Sequence, residues 1–148
     1  MNVLGDFRYA SDLHIKGFGG NKVRKQLFQP GGPIARKIAC HSNSIMQIGN
    51  WIFVHAGLLP EHLTKYNISQ LNKITRNIFL GKLKLSNITP EIENLILSKQ
   101  GFLWNRVYSQ NDGNCQILNK TMDILKLGKN GGMVVGHTPQ MNKGIVFE

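Results

Sequence analysis

The sequence predicts an α/β layered domain. Two apolar stretches read as strands, Trp51-Ile-Phe-Val-His55-Ala-Gly57-Leu-Leu-Pro60 and Val134-Val-Gly136-His137-Thr138-Pro139, and each ends in a histidine followed by small, turn-forming residues. Around them lie segments whose apolar residues repeat at helical spacing, so helices alternate with short strands. A loop just past the C-terminal end of a buried strand is rigidly supported yet open to a ligand. Two histidines about 80 residues apart in sequence, delivered in that way, could meet at one metal.

In chain order, residues 1–32 are Gly-rich and read as a long loop with a short helix near Lys22–Leu27. Pro33 suits the first turn of a helix running to about Ser42. Ser44–Ile48 and Trp51–His55 form a hairpin around Gly49-Asn50, a dipeptide suited to a tight turn. Pro60 opens a short helix. Leu71, Ile74 and Ile78 lie at helical spacing in a helix from about Ser69 to Leu80, stopped by Gly81. Thr89-Pro90-Glu91 combines a capping hydroxyl, a first-turn proline and an early acid, and starts a helix to about Lys99. A further helix, near Asn114–Leu127, carries Leu118, Met122 and Leu125 on one face and ends at Gly128. Gly132–Gly136 is a strand, with Gly144–Phe147 as its expected neighbour. About four strands are few for a two-layer core, and the last runs straight into Glu148, so the chain reads as cut there.

The chain of 148 residues is at most one domain's worth, with a hydrophobic share of 41% that supports a core. A formal net charge of +10 favours anionic partners such as phosphoesters, nucleic acid or acidic lipid. The lysines are scattered, however, and coding bias accounts for them equally well. The aromatics are not interleaved with Lys and Arg as a stacking surface for nucleic acid requires. Two cysteines, Cys40 and Cys115, make neither a disulfide framework nor a metal-binding doublet, so reduced thiols and a cytoplasmic location are expected. No apolar run reaches the ~18 residues of a membrane span, and the N-terminus lacks signal-peptide regions.

His55 and His137 share one local grammar, an apolar strand, then the histidine, then small residues. One such histidine is commonly structural; two in a short chain point to metal ligation. Two histidines still fall short of a catalytic site, which needs a third ligand or several carboxylates. The eight carboxylates do not pair at strand ends. Arg106, in Leu103-Trp104-Asn105-Arg106-Val107-Tyr108, could clamp phosphate oxygens bidentately or simply stack on Trp104. Arg8 and Tyr9 could contact a substrate or anchor a loop. His14, His41 and His62 lack the strand-end setting and read as exposed or structural.

Together these segments resemble the phosphoprotein-phosphatase branch of the calcineurin-like metallophosphoesterases, most closely the Shewanella-like protein phosphatases. Members carry, in order, GDxHG, GDxVDRG, GNHE, an HGG or HAG segment, a Trp-x-Arg segment and GHT. A stretch similar to Met1-Asn2-Val3-Leu4-Gly5-Asp6-Phe7-Arg8-Tyr9 follows GNHE closely in the Shewanella-like group. Pro30-Gly-Gly-Pro33, Val54-His55-Ala56-Gly57, Trp104-Asn105-Arg106-Val107-Tyr108-Ser109 and Gly136-His137-Thr138 match in order and spacing.

The resemblance implies a partial four-layer α/β/β/α sandwich lacking its N-terminal strands, with residues 1–148 as the C-terminal part of one catalytic domain. It implies that His55 and His137 are ligands of the second metal and that Arg106 holds the substrate phosphate. The intact family uses two divalent ions, manganese, iron or zinc, and this chain would hold at most one partial site. GDxHG, GDxVDRG and GNHE are absent, so no catalytic residue is assigned here; the catalytic histidine belongs to GNHE. The expectation is therefore a fragment, a misplaced start or a decayed gene. The expected activity is that of a metal-dependent phosphomonoesterase, a Ser/Thr or Tyr protein phosphatase acting on a phosphorylated substrate such as a phosphoprotein. The alternative is an inactive remnant or a basic module binding nucleic acid or an acidic protein.

Overall fold

The computed structural model describes residues 2–109, 114–128 and 130–139. They form two compact units, one of the described residues within 2–43 and 73–88 and the other of those within 44–72 and 89–139. Among the described residues no helix is long and apolar enough to cross a membrane.

The first unit is helical. Helices α1 (Asp12–Gly17), α2 (Asn21–Phe28) and α3 (Pro33–His41) follow one another. The Lys22–Leu27 and Pro33 expectations hold, but α1 replaces part of the expected loop. Its signal is local and short: the Ser11 side chain accepts a hydrogen bond from His14 N–H and caps the first turn. At six residues, α1 is too short to show a helical period. Ala35 and Ala39 are buried on α3, as are Thr75 and Ile78 on α5 (Ile68–Phe79). Arg24 is also buried, its guanidinium 4.6 Å from the Phe18 ring centroid and 4.7 Å from that of Phe28. Its Nε donates to Asn2 Oδ1.

The second unit holds a three-stranded mixed sheet in the order β1 (Ile45–Ile48), β2 (Trp51–Val54), β3 (Gly132–Val134). β1 and β2 form the expected antiparallel hairpin, with Ile45 opposite Val54 and Ile48 opposite Trp51. Gly49, at φ +56°, supplies the positive φ that a tight hairpin turn demands. β3 pairs parallel to β2, with Trp51 opposite Gly132 and Phe53 opposite Val134. Asn72 brackets the start of β1, accepting from Ile45 N–H and donating to Ile45 O.

Around the sheet lie α4 (Pro60–Leu63), the first residues of α5 (Ile68–Phe79), α6 (Pro90–Leu97) and α7 (Cys115–Ile124). Ile45, Ile52, Leu58, Leu71 and Phe102 are almost completely buried and form the core here. The opposite sheet face is open: Met46, Ile48, Trp51 and Val134 remain 44–56% exposed.

Thr89 caps α6 as expected, its hydroxyl accepting from Ile92 N–H. α7 stops earlier than expected. Lys126, not Gly128, takes the left-handed conformation at φ +55°, and Leu127 N–H returns to Met122 O. Gly144–Phe147 lies outside the described residues. The mixed α/β architecture stands, with one sheet among those residues where a four-layer sandwich has two.

Candidate functional site

The second unit brings the sequence-derived candidates together. The hydrogen bonding of β2 with β3 continues past the strand ends, where Gly136 N–H donates to His55 O at 2.9 Å. That bond holds the two turns side by side. His137 Nδ1 then lies 3.0 Å from His55 Nε2, with the rings edge to face. At this separation one nitrogen donates a proton to the other, or both bind one cation. Two nitrogens at about 2.0–2.1 Å from a shared ion stand roughly 3.0–3.4 Å apart, depending on the coordination angle.

Both imidazoles are held toward the neutral form. Desolvation lowers the pKa of His55. Desolvation also lowers that of His137, aided by His55 and by the positive charge of Arg106. Neutral imidazole is the form that ligates metal. The pair therefore fits as part of a metal site. It does not complete one: no group of three or more His, Cys, Asp or Glu that could hold a metal occurs among the described residues. Asp112 and Glu148 lie outside them. A ligand histidine usually donates its other ring N–H to an acceptor. Yet His137 Nε2 is buried without a partner among the described residues, and the ring meets Trp104 edge to face at 5.2 Å.

Arg106 reaches the same place from the loop after α6. The Trp104 ring turns to His137, and the Arg106 guanidinium is fixed through Thr138, Nη1 donating to Oγ1 at 2.9 Å. Ser109 Oγ lies 2.6 Å from the same Thr138 oxygen.

Asn105 fastens the arginine loop to the turn after β2. It is 1% exposed, and its Nδ2 donates to Gly57 O at 2.7 Å and Gly101 O at 3.1 Å. Tyr108 O–H donates to Leu58 O, and burial pushes its pKa up to about 12. Gly57, at φ +153°, lies under Tyr108; a Cβ there would stand 2.5 Å from the ring.

The remaining candidates go elsewhere. His62 is structural: Nδ1 accepts from Leu59 N–H and Nε2 donates to Gln100 O. Arg8, in the first unit, is tied to Asp6 through Nε and Nη2, which holds the Asp6 carboxyl down at about 2. Tyr9 is 79% exposed. Asn105, Tyr108, Ser109 and Thr138 carry no sequence signal of their own at this site, although each lies inside one of its motif segments.

Comparison with known proteins gives three relevant similarities. The chain is 31% identical over 170 residues to an uncharacterised protein of Acanthamoeba polyphaga mimivirus, covering 95% of this chain and 66% of that protein. It is 26% identical over 126 residues to Shewanella-like protein phosphatase 2 of Arabidopsis thaliana, covering 83% of this chain and 30% of that one. By sequence, the chain is distantly related to a protein phosphatase. Its fold is similar to that of the cold-active protein-tyrosine phosphatase of a psychrophilic Shewanella species, with a TM-score of 0.70 at 20% identity. That match covers 95% of this chain and 41% of the phosphatase. The chain thus spans less than two thirds of the length of these relatives. No family model matches.

Proposed function

We propose that these residues are the C-terminal part of a calcineurin-like, metal-dependent phosphomonoesterase with a four-layer α/β/β/α sandwich. Its substrates in this reading are phosphoproteins carrying Ser/Thr or Tyr phosphate. The observation that carries the reading is the pair of ring nitrogens 3.0 Å apart, with Arg106 tethered to the residue that follows His137. Kinship with a plant protein phosphatase supports it.

His55 Nε2 and His137 Nδ1 would hold one divalent ion, manganese, iron or zinc. Metal of this kind supplies an activated water and neutralises charge on phosphoryl oxygens. The desolvated setting keeps both imidazoles ready to bind without first losing a proton. Arg106 would hold the phosphate, because a guanidinium fork matches two phosphate oxygens at once. The parallel β2–β3 pairing sets the histidine turns on a rigid base.

The test is manganese binding to the 148-residue chain, read by calorimetry, together with hydrolysis of p-nitrophenyl phosphate. We expect one weakly bound ion, lost in both His55→Ala and His137→Ala, and no hydrolysis above a buffer control. Manganese binding unchanged in both variants would overturn the assignment of the histidines. Turnover by the chain that disappears with His137→Ala would show that another residue set completes the site, and would end the partial-site reading.

A further inference from the structure

We propose that Thr138 is itself a phosphate-binding residue, its hydroxyl donating to the anion that Arg106 holds. The inference rests on the reading of Arg106 given above and extends it to a side chain with no assigned role.

A threonine hydroxyl has one proton to give and two lone pairs to accept with. Arg106 Nη1–H donates to Thr138 Oγ1 at 2.9 Å. Ser109 Oγ stands 2.6 Å from the same oxygen as a second donor, its single proton shared with the Arg106 carbonyl at 3.2 Å. Both acceptor positions of Thr138 are then occupied. While Ser109 donates to it, its own proton has no other acceptor among the described residues and is left for a ligand.

The neighbours define what it would donate to. Nη1 of Arg106 is engaged by Thr138, which leaves the Nε–Nη2 edge of the guanidinium for a ligand. A flat cationic edge beside a hydroxyl donor presents several N–H and O–H groups and no nearby carboxylate acceptor among the described hydrogen bonds. A tetrahedral oxyanion matches that pattern, one oxygen to the hydroxyl and two to the fork. The setting also answers a geometric need. Arg106 is exposed, and a long exposed side chain loses rotamer freedom when it binds. Thr138, steadied by Ser109, removes part of that loss before the anion arrives.

The experiment titrates inorganic phosphate into the 148-residue chain in the presence of a chelator, so that no metal bridges the anion. Affinity is read by calorimetry, and the Arg106 side-chain N–H signals are followed by NMR. Loss of one hydrogen bond to a charged ligand lowers affinity by about tenfold or more. We therefore expect Thr138→Val to bind phosphate at least about tenfold more weakly. Thr138→Ser, which keeps the hydroxyl, should remain close to the unsubstituted chain. Ser109→Ala should fall between them, and Thr138→Val should also mobilise the Arg106 N–H signals before any phosphate is added. Thr138→Ala serves if the valine variant does not fold. Phosphate binding that survives Thr138→Val but is lost in Arg106→Ala overturns this proposal alone. Binding unaffected by Arg106→Ala overturns the phosphate reading of Arg106 and this proposal with it.

Discussion

Asn105 is the residue on which the candidate site's geometry rests. Its amide donates to the carbonyls of Gly57 and Gly101, tying the turn after β2 to the loop that carries Arg106. Replacement by alanine removes the side-chain donor from the buried Gly57 carbonyl, while Gly101 O keeps the backbone N–H groups of Trp104 and Asn105, at a cost of about 1–3 kcal/mol. Urea denaturation of Asn105→Ala should show that loss, and an unchanged midpoint would show that the amide is not needed. Gly57 is the matching constraint, because any Cβ there runs into the Tyr108 ring. Arg106 and His137 should fail differently when they act in a longer, active protein, since one would grip phosphate and the other metal. There, Arg106→Lys should recover only part of the activity lost in Arg106→Ala, for lysine keeps the charge without the fork. Added manganese should partly repair His137→Ala and leave Arg106→Ala unrepaired. Steady-state kinetics across a manganese titration separates the two; equal repair of both would mean the roles are not divided this way.

At the scale of elements, what the sequence made legible was whatever is decided locally. Thr89-Pro90 places the start of α6 because the capping hydroxyl acts within one turn. Thr89→Ala should lower stability by about 1 kcal/mol, measured as a shifted thermal or urea midpoint. The Gly49-Asn50 hairpin was legible for the same reason. α1 is not legible because its six residues show no apolar period, and the end of α7 falls before Gly128 because Lys126 adopts a conformation normally left to glycine. The histidine pair was foreseeable from the repeated strand-end pattern. The Ser109–Thr138 contact was not, since it joins segments brought together only by the tertiary fold. At α4 the short helix carries a pH dependence. His62 accepts from Leu59 N–H through Nδ1, and burial lowers its pKa in the folded state. The folded chain therefore binds fewer protons than the unfolded chain just below the ordinary histidine range. Stability from this residue is fully present above about pH 6.5 and is lost as the pH falls below it. Because His55 and His137 shift in the same direction, the pH slope of stability should shrink but not vanish in His62→Gln. A slope identical to that of the unsubstituted chain would remove His62 from this account.

For the molecule as a whole, the open sheet face matters most. Met46, Ile48, Trp51 and Val134 present an apolar surface of the kind that soluble monomers seldom leave uncovered. The isolated chain should bind a hydrophobic dye without denaturant, and Trp51→Lys should reduce that signal. A cooperative melt from a monomer without dye binding would show that the face is covered in solution. The net charge of +10 opposes self-association through long-range repulsion, so aggregation should increase as salt screens it. A different consequence follows from the parallel pairing of β2 with β3. Trp51 meets Gly132 across a long stretch of intervening chain, and such a closure costs loop entropy before any contact offsets it. During synthesis, at about 5–20 residues per second, β2 waits several seconds before β3 is made. The antiparallel hairpin can form in that interval, but His55 gains its partner only once the residues through His137 have been made. The two imidazoles therefore meet late in folding, and the appearance of their pairing should trail the formation of the hairpin that supports it.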